Sequence, residues 1–163
     1  MRLADIDHAA YMGLALEEAE AALARGDRPI GAVIVLDGAV VARAGNAYST
    51  ERSHLAHAEL RCLLACAQLI FDRGPDCVLY TTVEPCVLCL GALVMANVRN
   101  VVFGVADLYI NTREMVEKVS YVRRRIHGYV GGVRVDECAE LYRRYSPAEL
   151  DLVRGVPDVR KPG

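Results

Sequence analysis

The sequence predicts an α/β fold: a three-layer α/β/α sandwich around one mixed sheet of roughly five strands. Three observations point there. Segments with helical apolar spacing alternate with short β-rich runs, the pattern of layered α/β folds. The first two β runs flank Asp37-Gly38-Ala39, a hairpin signal that puts an antiparallel pair into the sheet. A chain of 163 residues can build one substantial core but is short for two ordinary domains. The expectation is therefore a single domain over 1–163, with its core at about 8–145 and a C-terminal tail at 146–163.

Each element has a local reason. From His8 to Arg25 the residues Ala9, Met12, Leu16, Ala19 and Leu23 recur at helical spacing, and Gly26 follows as a stop. Ala32 to Leu36 and Val40 to Ala44 read as the hairpin strands. After a polar connection, Ala58 to Phe71 reads as a helix, punctuated by Gly74-Pro75, and Cys77 to Thr81 as a strand. Pro85 suits the start of a helix near Cys86 to Met95. A short buried strand follows at Val101 to Phe103, then a helix at Glu114 to Arg125. Val133 to Val135 is the candidate fifth strand, and Asp136 to Tyr145 a last helix. From Ser146 on, with Pro147, Pro157 and Pro162, the periodicity weakens.

Composition narrows the class. Apolar residues make up 53% and charged residues 25%, a globular balance. The formal charge of −2 argues against broad non-specific nucleic-acid binding and leaves room for a local basic patch. No run approaches the roughly 20 apolar residues of a membrane span, and the first ten residues hold no signal-peptide core. A cytoplasmic protein with no membrane partner is expected. Cys62, Cys66, Cys77 and Cys138 stand in apolar or helix-like contexts and read as buried free thiols.

Two short pieces carry chemistry: His57-Ala58-Glu59 and Pro85-Cys86-Val87-Leu88-Cys89. Two thiolates and an imidazole suit Zn2+, and three protein ligands leave a fourth position for water, as in catalytic sites. Cys86 and Cys89 are three apart, so a helix turns both to one side, near the positive end that favours thiolates. Glu59 follows His57 in the first turn of its own helix. There a carboxylate can take a proton from an acidified water and return it. A structural zinc site would want four protein ligands, and this spacing supplies three.

The two pieces together resemble the H-x-E…P-C-x-x-C signature of the zinc-dependent cytidine and deoxycytidylate deaminase-like superfamily. Arg28-Pro29-Ile30-Gly31-Ala32-Val33-Ile34-Val35 and Tyr80-Thr81-Thr82-Val83-Glu84 look like it too, and the likeness runs from the first helix to roughly Asp107. It is nearest to cytosine and guanine deaminases and to tRNA-specific adenosine deaminases. The resemblance implies a cytidine deaminase-like fold, zinc on His57, Cys86 and Cys89, and Glu59 as general acid and base. It implies that Asn46 binds substrate, where the residues alone equally allow a turn after Gly45. It places Ile30 and Val83 on the pocket wall, where the residues alone also allow core. It implies a homodimer or larger homo-oligomer, for which the apolar helix from Cys86 and the later one from Glu114 are candidate interfaces.

Two substrates compete. The first is a free nucleobase, nucleoside or related small amino-heterocycle; the alternative is adenosine in transfer RNA. Val101-Val102-Phe103-Gly104 and Asp107 resemble the RNA-editing branch, whereas Leu108-Tyr109-Ile110-Asn111 departs from it. That departure and the acidic balance favour the small substrate. The tail, with Tyr145, Glu149, Asp151 and Leu152, is expected to cover the pocket and offer a carboxylate to an amine or ring N–H. Arg123-Arg124-Arg125 reads as a solvated helix face or a phosphate contact, and His8, His54 and His127 as surface or hydrogen-bonding residues.

Overall fold

A computed structural model describes residues 3–156; the end of the tail, with Pro157 and Pro162, lies outside the described residues. The first helix, α1, spans His8–Arg25. The Asp7 side chain caps it by accepting from the Ala10 N–H at 3.1 Å, a bond worth about 1 kcal/mol. Gly26, at φ 87°, ends it by returning its N–H to the Ala22 and Leu23 carbonyls.

Strands β1 (Gly31–Leu36) and β2 (Ala39–Gly45) form the expected hairpin. Asp37 and Gly38 turn it at φ 51° and 83°, the two positive values that a two-residue type I′ turn requires. Then come α2 (Ala58–Ala65), α3 (Ala67–Arg73), β3 (Val78–Val83), α4 (Val87–Met95) and β4 (Asn100–Val105). The chain continues through α5 (Arg113–Lys118), α6 (Ser120–Arg125), β5 (Gly128–Val130), α7 (Val135–Tyr145) and α8 (Pro147–Val153).

The sheet order is β2-β1-β3-β4-β5. β1 runs antiparallel to β2 and β3, while β4 and β5 extend the sheet in parallel, so it is mixed as expected. Alternation along the strands builds two cores. Ala32, Ile34, Leu79, Val101 and Phe103 meet residues of α2, α3, α4 and α6 on one face. Val33, Val35, Tyr80 and Val102 meet residues of α1, α7 and α8 on the other. Every residue of β1 and β3 is buried, which is why both read as continuous apolar runs. At Gly31 a Cβ would stand 2.0 Å from the Ala15 carbonyl oxygen, so α1 can lie this close only over glycine.

Three elements differ from the sequence reading. The helix expected over Ala58 to Phe71 breaks at Cys66, which leaves helical geometry while its thiol bonds the Cys62 carbonyl. The helix expected over Glu114 to Arg125 breaks at Val119, a β-branched residue in extended conformation. The fifth strand is Gly128–Val130, not Val133 to Val135. There Tyr129 packs its ring 5.0 Å from that of Phe103, whereas Arg134 adopts φ 49° and Val135 already starts α7. The stretch from Ser146, weak in periodicity, contains α8, capped by the Ser146 hydroxyl oxygen on the Glu149 N–H.

Candidate active site

Two helix N-termini meet beside the end of β3. His57 is the N-cap of α2 and Cys86 the N-cap of α4, both with extended backbone. Cys89 lies in the first turn of α4, so the i, i+3 spacing brings the two sulfurs to one side. The ligand atoms of His57, Cys86 and Cys89 lie within 4.8 Å of one another. His57 Nδ1 stands 3.5 Å from each sulfur. A tetrahedral zinc at ordinary bond lengths would separate a nitrogen and a sulfur ligand by about 3.5 Å, so the donor set fits this ion in kind and in spacing.

Electrostatics follow the crowding. The hydrogen bond shared with Cys89, joined by His57, holds the Cys86 thiol down at about 4 although burial opposes it. The same shared proton pushes Cys89 up, with burial adding to it. His57 is raised, first by its bond to Cys86. A divalent cation bound here would displace the shared protons and favour the thiolate form of both cysteines.

Glu59 is buried at 4% exposure, and that burial pushes its carboxyl upward. Thr81 on β3 donates to its Oε1 at 3.3 Å, and the Cys89 thiol to its Oε2 at 3.5 Å. The carboxylate thus stands with Oε2 beside the Cys89 sulfur and Oε1 on Thr81, outside the His–Cys–Cys set.

A cavity of about 310 Å³ opens over these groups, lined by His57, Glu59 and Cys86 and by Ile30, Val83 and Asn46. All seven residues singled out from the sequence therefore converge, Cys89 through its sulfur beneath the cavity. Asn46 is buried, and its Oδ1 accepts from the Tyr48 N–H at 3.0 Å, which leaves its amide N–H groups for the cavity. Ile30 packs on both cores and also faces the cavity, and Val83 does the same from the α1 side, so wall and core are one position for each.

The roof comes from elsewhere in the chain. Asp107 and Tyr109, in the loop between β4 and α5, line the cavity with Tyr142, Glu149 and Leu152 from α7 and α8. Asp107 Oδ1 accepts from the Tyr109 and Ile110 N–H groups at 3.0 and 2.9 Å, an Asx turn that shapes the loop. Burial raises its carboxyl. The buried Glu84 ties this loop to the sheet, accepting from the Asp107 N–H and the Tyr129 hydroxyl, each at 2.9 Å. The loop and α8 are joined directly, the Leu108 N–H donating to the Val153 carbonyl at 2.7 Å.

Of the four tail residues expected over the pocket, Glu149 and Leu152 line it. Tyr145 instead packs edge-on against Tyr142, and Asp151 points to solvent. Arg28, Glu84, Asp107 and Tyr142 were not recognised as cavity residues from the sequence. Asp107 carries a local signal, since an aspartate just past a β run suits an Asx turn; Arg28 and Tyr142 carry none. His8 bonds the Tyr80 hydroxyl at 2.9 Å, His54 sits edge-on to Tyr48, and His127 is exposed. Arg123 and Arg124 are exposed, and Arg125 lies over the Tyr121 ring. The four further cysteines are buried and free.

Comparison with known proteins gives the chain's family. A tRNA-specific adenosine deaminase of Bacillus subtilis is 45% identical over 98 residues, 60% of this chain and 61% of that protein. The chain thus matches less than two thirds of that relative's length. A structure from work on A-to-I editing by tRNA:A34 deaminases at the wobble position superposes with a TM-score of 0.68. It has 36% identity and covers 81% of this chain and 98% of its own. A guanine deaminase from Nitrosomonas europaea superposes with a TM-score of 0.68 at 27% identity, covering 84% and 83%. The MafB19-like deaminase family matches residues 6–130. With that match over most of its length, a mixed five-stranded sheet and a cytidine deaminase-like fold, the chain belongs to the MafB19-like deaminase family.

Proposed function

We propose that this protein is a zinc-dependent hydrolytic deaminase that releases ammonia from a free nucleobase or another small amino-heterocycle. The observation that carries the choice of substrate is the roof over a small cavity. The tail helix α8 and the β4–α5 loop are bonded together over a cavity of about 310 Å³. That is the small end of the about 300–1,000 Å³ range of ligand sites, suited to a one- or two-ring heterocycle.

His57 Nδ1 and the sulfurs of Cys86 and Cys89 would hold the zinc. Bound there, the ion supplies Lewis acidity that lets a water ionise near neutral pH. Glu59 moves the protons: it takes one from the attacking water and delivers it to the ring nitrogen next to the amine-bearing carbon, then takes a second from the added hydroxyl as the carbonyl forms and gives it to the departing amine. Protonating that nitrogen concentrates positive charge on an otherwise poor electrophile. Asn46 offers its amide N–H to an acceptor on the ring, Ile30 and Val83 flank the ring faces, and Glu149 accepts from a ring N–H or amine. The cytoplasm fits this reading, because free bases occur there and thiols such as Cys62 and Cys138 stay reduced.

A homodimer belongs to the same proposal. No residue of α4 is polar apart from its cysteine, and Val87 and Met95 are 55% and 74% exposed on its outer side. Leu64 and Phe71 extend this surface at 71% and 90% exposure. A helix apolar all round belongs inside a protein, and a second copy would bury it. Light scattering at micromolar concentration should give at least twice the chain mass; a strictly monomeric mass would remove this part.

The second reading, a tRNA-specific adenosine-to-inosine deaminase, is favoured by the Bacillus relative and the A-to-I editing structure. One panel separates the two. Ammonia release is measured from guanine, cytosine, a nucleoside, an aminotriazine, adenosine and a tRNA anticodon stem-loop. Efficient turnover of a small heterocycle is expected, with little from the RNA. Turnover of the RNA alone overturns the small-substrate assignment.

A further inference from the structure

Arg28 sits at the cavity wall with no role in the chemistry above, and its surroundings are specific. Pro29 follows it and disfavours helical backbone at Arg28, and the chain bends at Pro29 before entering β1. The Ile30 N–H closes back on the Arg28 carbonyl at 2.8 Å, which fixes where the side chain leaves the backbone. The guanidinium lies over the Tyr48 ring, 5.5 Å from its centroid. Its Nε donates to Glu149 Oε2 at 3.1 Å, joining residues 121 apart in sequence.

Glu149 receives a second bond on the same oxygen, from the Tyr142 hydroxyl at 3.4 Å. Both donors fall on Oε2, so Oε1 is the oxygen left to accept from a bound ring. As an ion pair the contact does little for stability, since the side chains are 40% and 35% exposed. Its geometric effect is larger, because a glutamate on a short terminal helix has three side-chain torsions to settle.

We propose that Arg28 is a positioning residue: clamped between Tyr48 and Glu149, it sets the direction in which Glu149 Oε1 faces the substrate. This rests on the proposed reading of Glu149 as an acceptor for a ring N–H or amine. Arg28 touches neither the reacting carbon nor the metal ligands. Its loss should weaken recognition and spare the proton transfers at Glu59.

A double-substitution cycle on the zinc-loaded protein tests it, with whichever compound of the panel the natural sequence turns over best. Arg28→Gln and Glu149→Gln should each raise KM about tenfold, with a smaller change in kcat. The double variant should be no worse than the weaker-binding single variant, because Arg28 acts only through Glu149. Arg28→Lys keeps the charge but loses the flat face and the fixed Nε, and should fall between Arg28→Gln and the natural protein. Penalties that multiply in the double variant overturn the proposal. So does a lysine variant equal to the natural protein, or an Arg28→Gln variant with unchanged KM. If the panel returns only RNA, the small-substrate reading falls, while the cycle run on RNA still reports whether the two residues are coupled.

Discussion

The floor and the roof of the cavity are built in opposite ways. The floor comes from two short sequence pieces, each at the N-terminus of a helix, so His57, Glu59, Cys86 and Cys89 owe their places to local spacing. The roof is assembled from Arg28, the β4–α5 loop, α7 and α8, held by contacts such as Arg28–Glu149 and Leu108–Val153. Reaction chemistry is shared by many substrates and needs a constant geometry, which short spacing secures. Recognition of one substrate depends on where distant segments dock. Floor changes should therefore act on kcat, and roof changes on KM.

The largest effect is expected at the floor. Glu59→Gln keeps nearly the same volume and leaves the three candidate metal ligands in place, so zinc content and fold should be retained. Proton-transfer groups typically contribute about 10²–10⁴-fold, and in the proposed reaction one carboxylate serves several steps, so kcat should drop by at least that range. Metal analysis and ammonia release on the same sample check both halves. A zinc-loaded variant with near-normal turnover would break the assignment of Glu59.

The same contrast explains what could be read from the sequence. The i, i+3 pair after Pro85 and the His-x-Glu piece are visible as text, and the structure brings these residues together with Asn46, Ile30 and Val83. The hairpin at Asp37-Gly38 was equally visible, because positive φ at two adjacent positions restricts residue choice. The fifth strand lies away from the expected Val133 to Val135, which alternates like a strand, because Tyr129 is selected by tertiary contacts with Phe103 and Glu84. The breaks at Cys66 and Val119 left the helical apolar pattern almost intact and so gave no signal. Of the tail, acidic and apolar character pointed to Glu149 and Leu152. Only the docking of α8 separates them from the outward Asp151.

An intermediate effect is expected at the roof. Leu152 lines the cavity and is only half-buried in the protein alone. Leu152→Ala removes apolar surface that a bound ring would cover, at about 25 cal/mol per Å². KM for the preferred small substrate should rise roughly tenfold, with kcat within about threefold of its starting value. Steady-state kinetics over a range of substrate concentrations separates the two constants. A loss confined to kcat would mean that α8 takes part in the chemistry, and the division between floor and roof would fail.

The smallest effect sharpens the comparison most, because it comes from a β3 residue that supports the floor and carries no chemistry of its own. Thr81 is fully buried on β3 and donates to Glu59 Oε1 at 3.3 Å, a long hydrogen bond. Valine matches its shape and sits well in a buried strand, so Thr81→Val should leave the sheet and the metal ligands in place. What it removes is one restraint on the direction of the Glu59 carboxylate and one donor to its charged form. A hydrogen bond of this kind contributes a net of about 0.5–1.5 kcal/mol. The length observed places it at the lower end, or a factor of roughly three in kcat. KM should not move, since Thr81 does not line the cavity. Kinetics on zinc-replete protein decides it: a kcat loss of that size at constant KM marks Thr81 as a floor residue acting through Glu59. A rise in KM with kcat unchanged would place it with the recognition groups instead, and local spacing would no longer separate chemistry from selection.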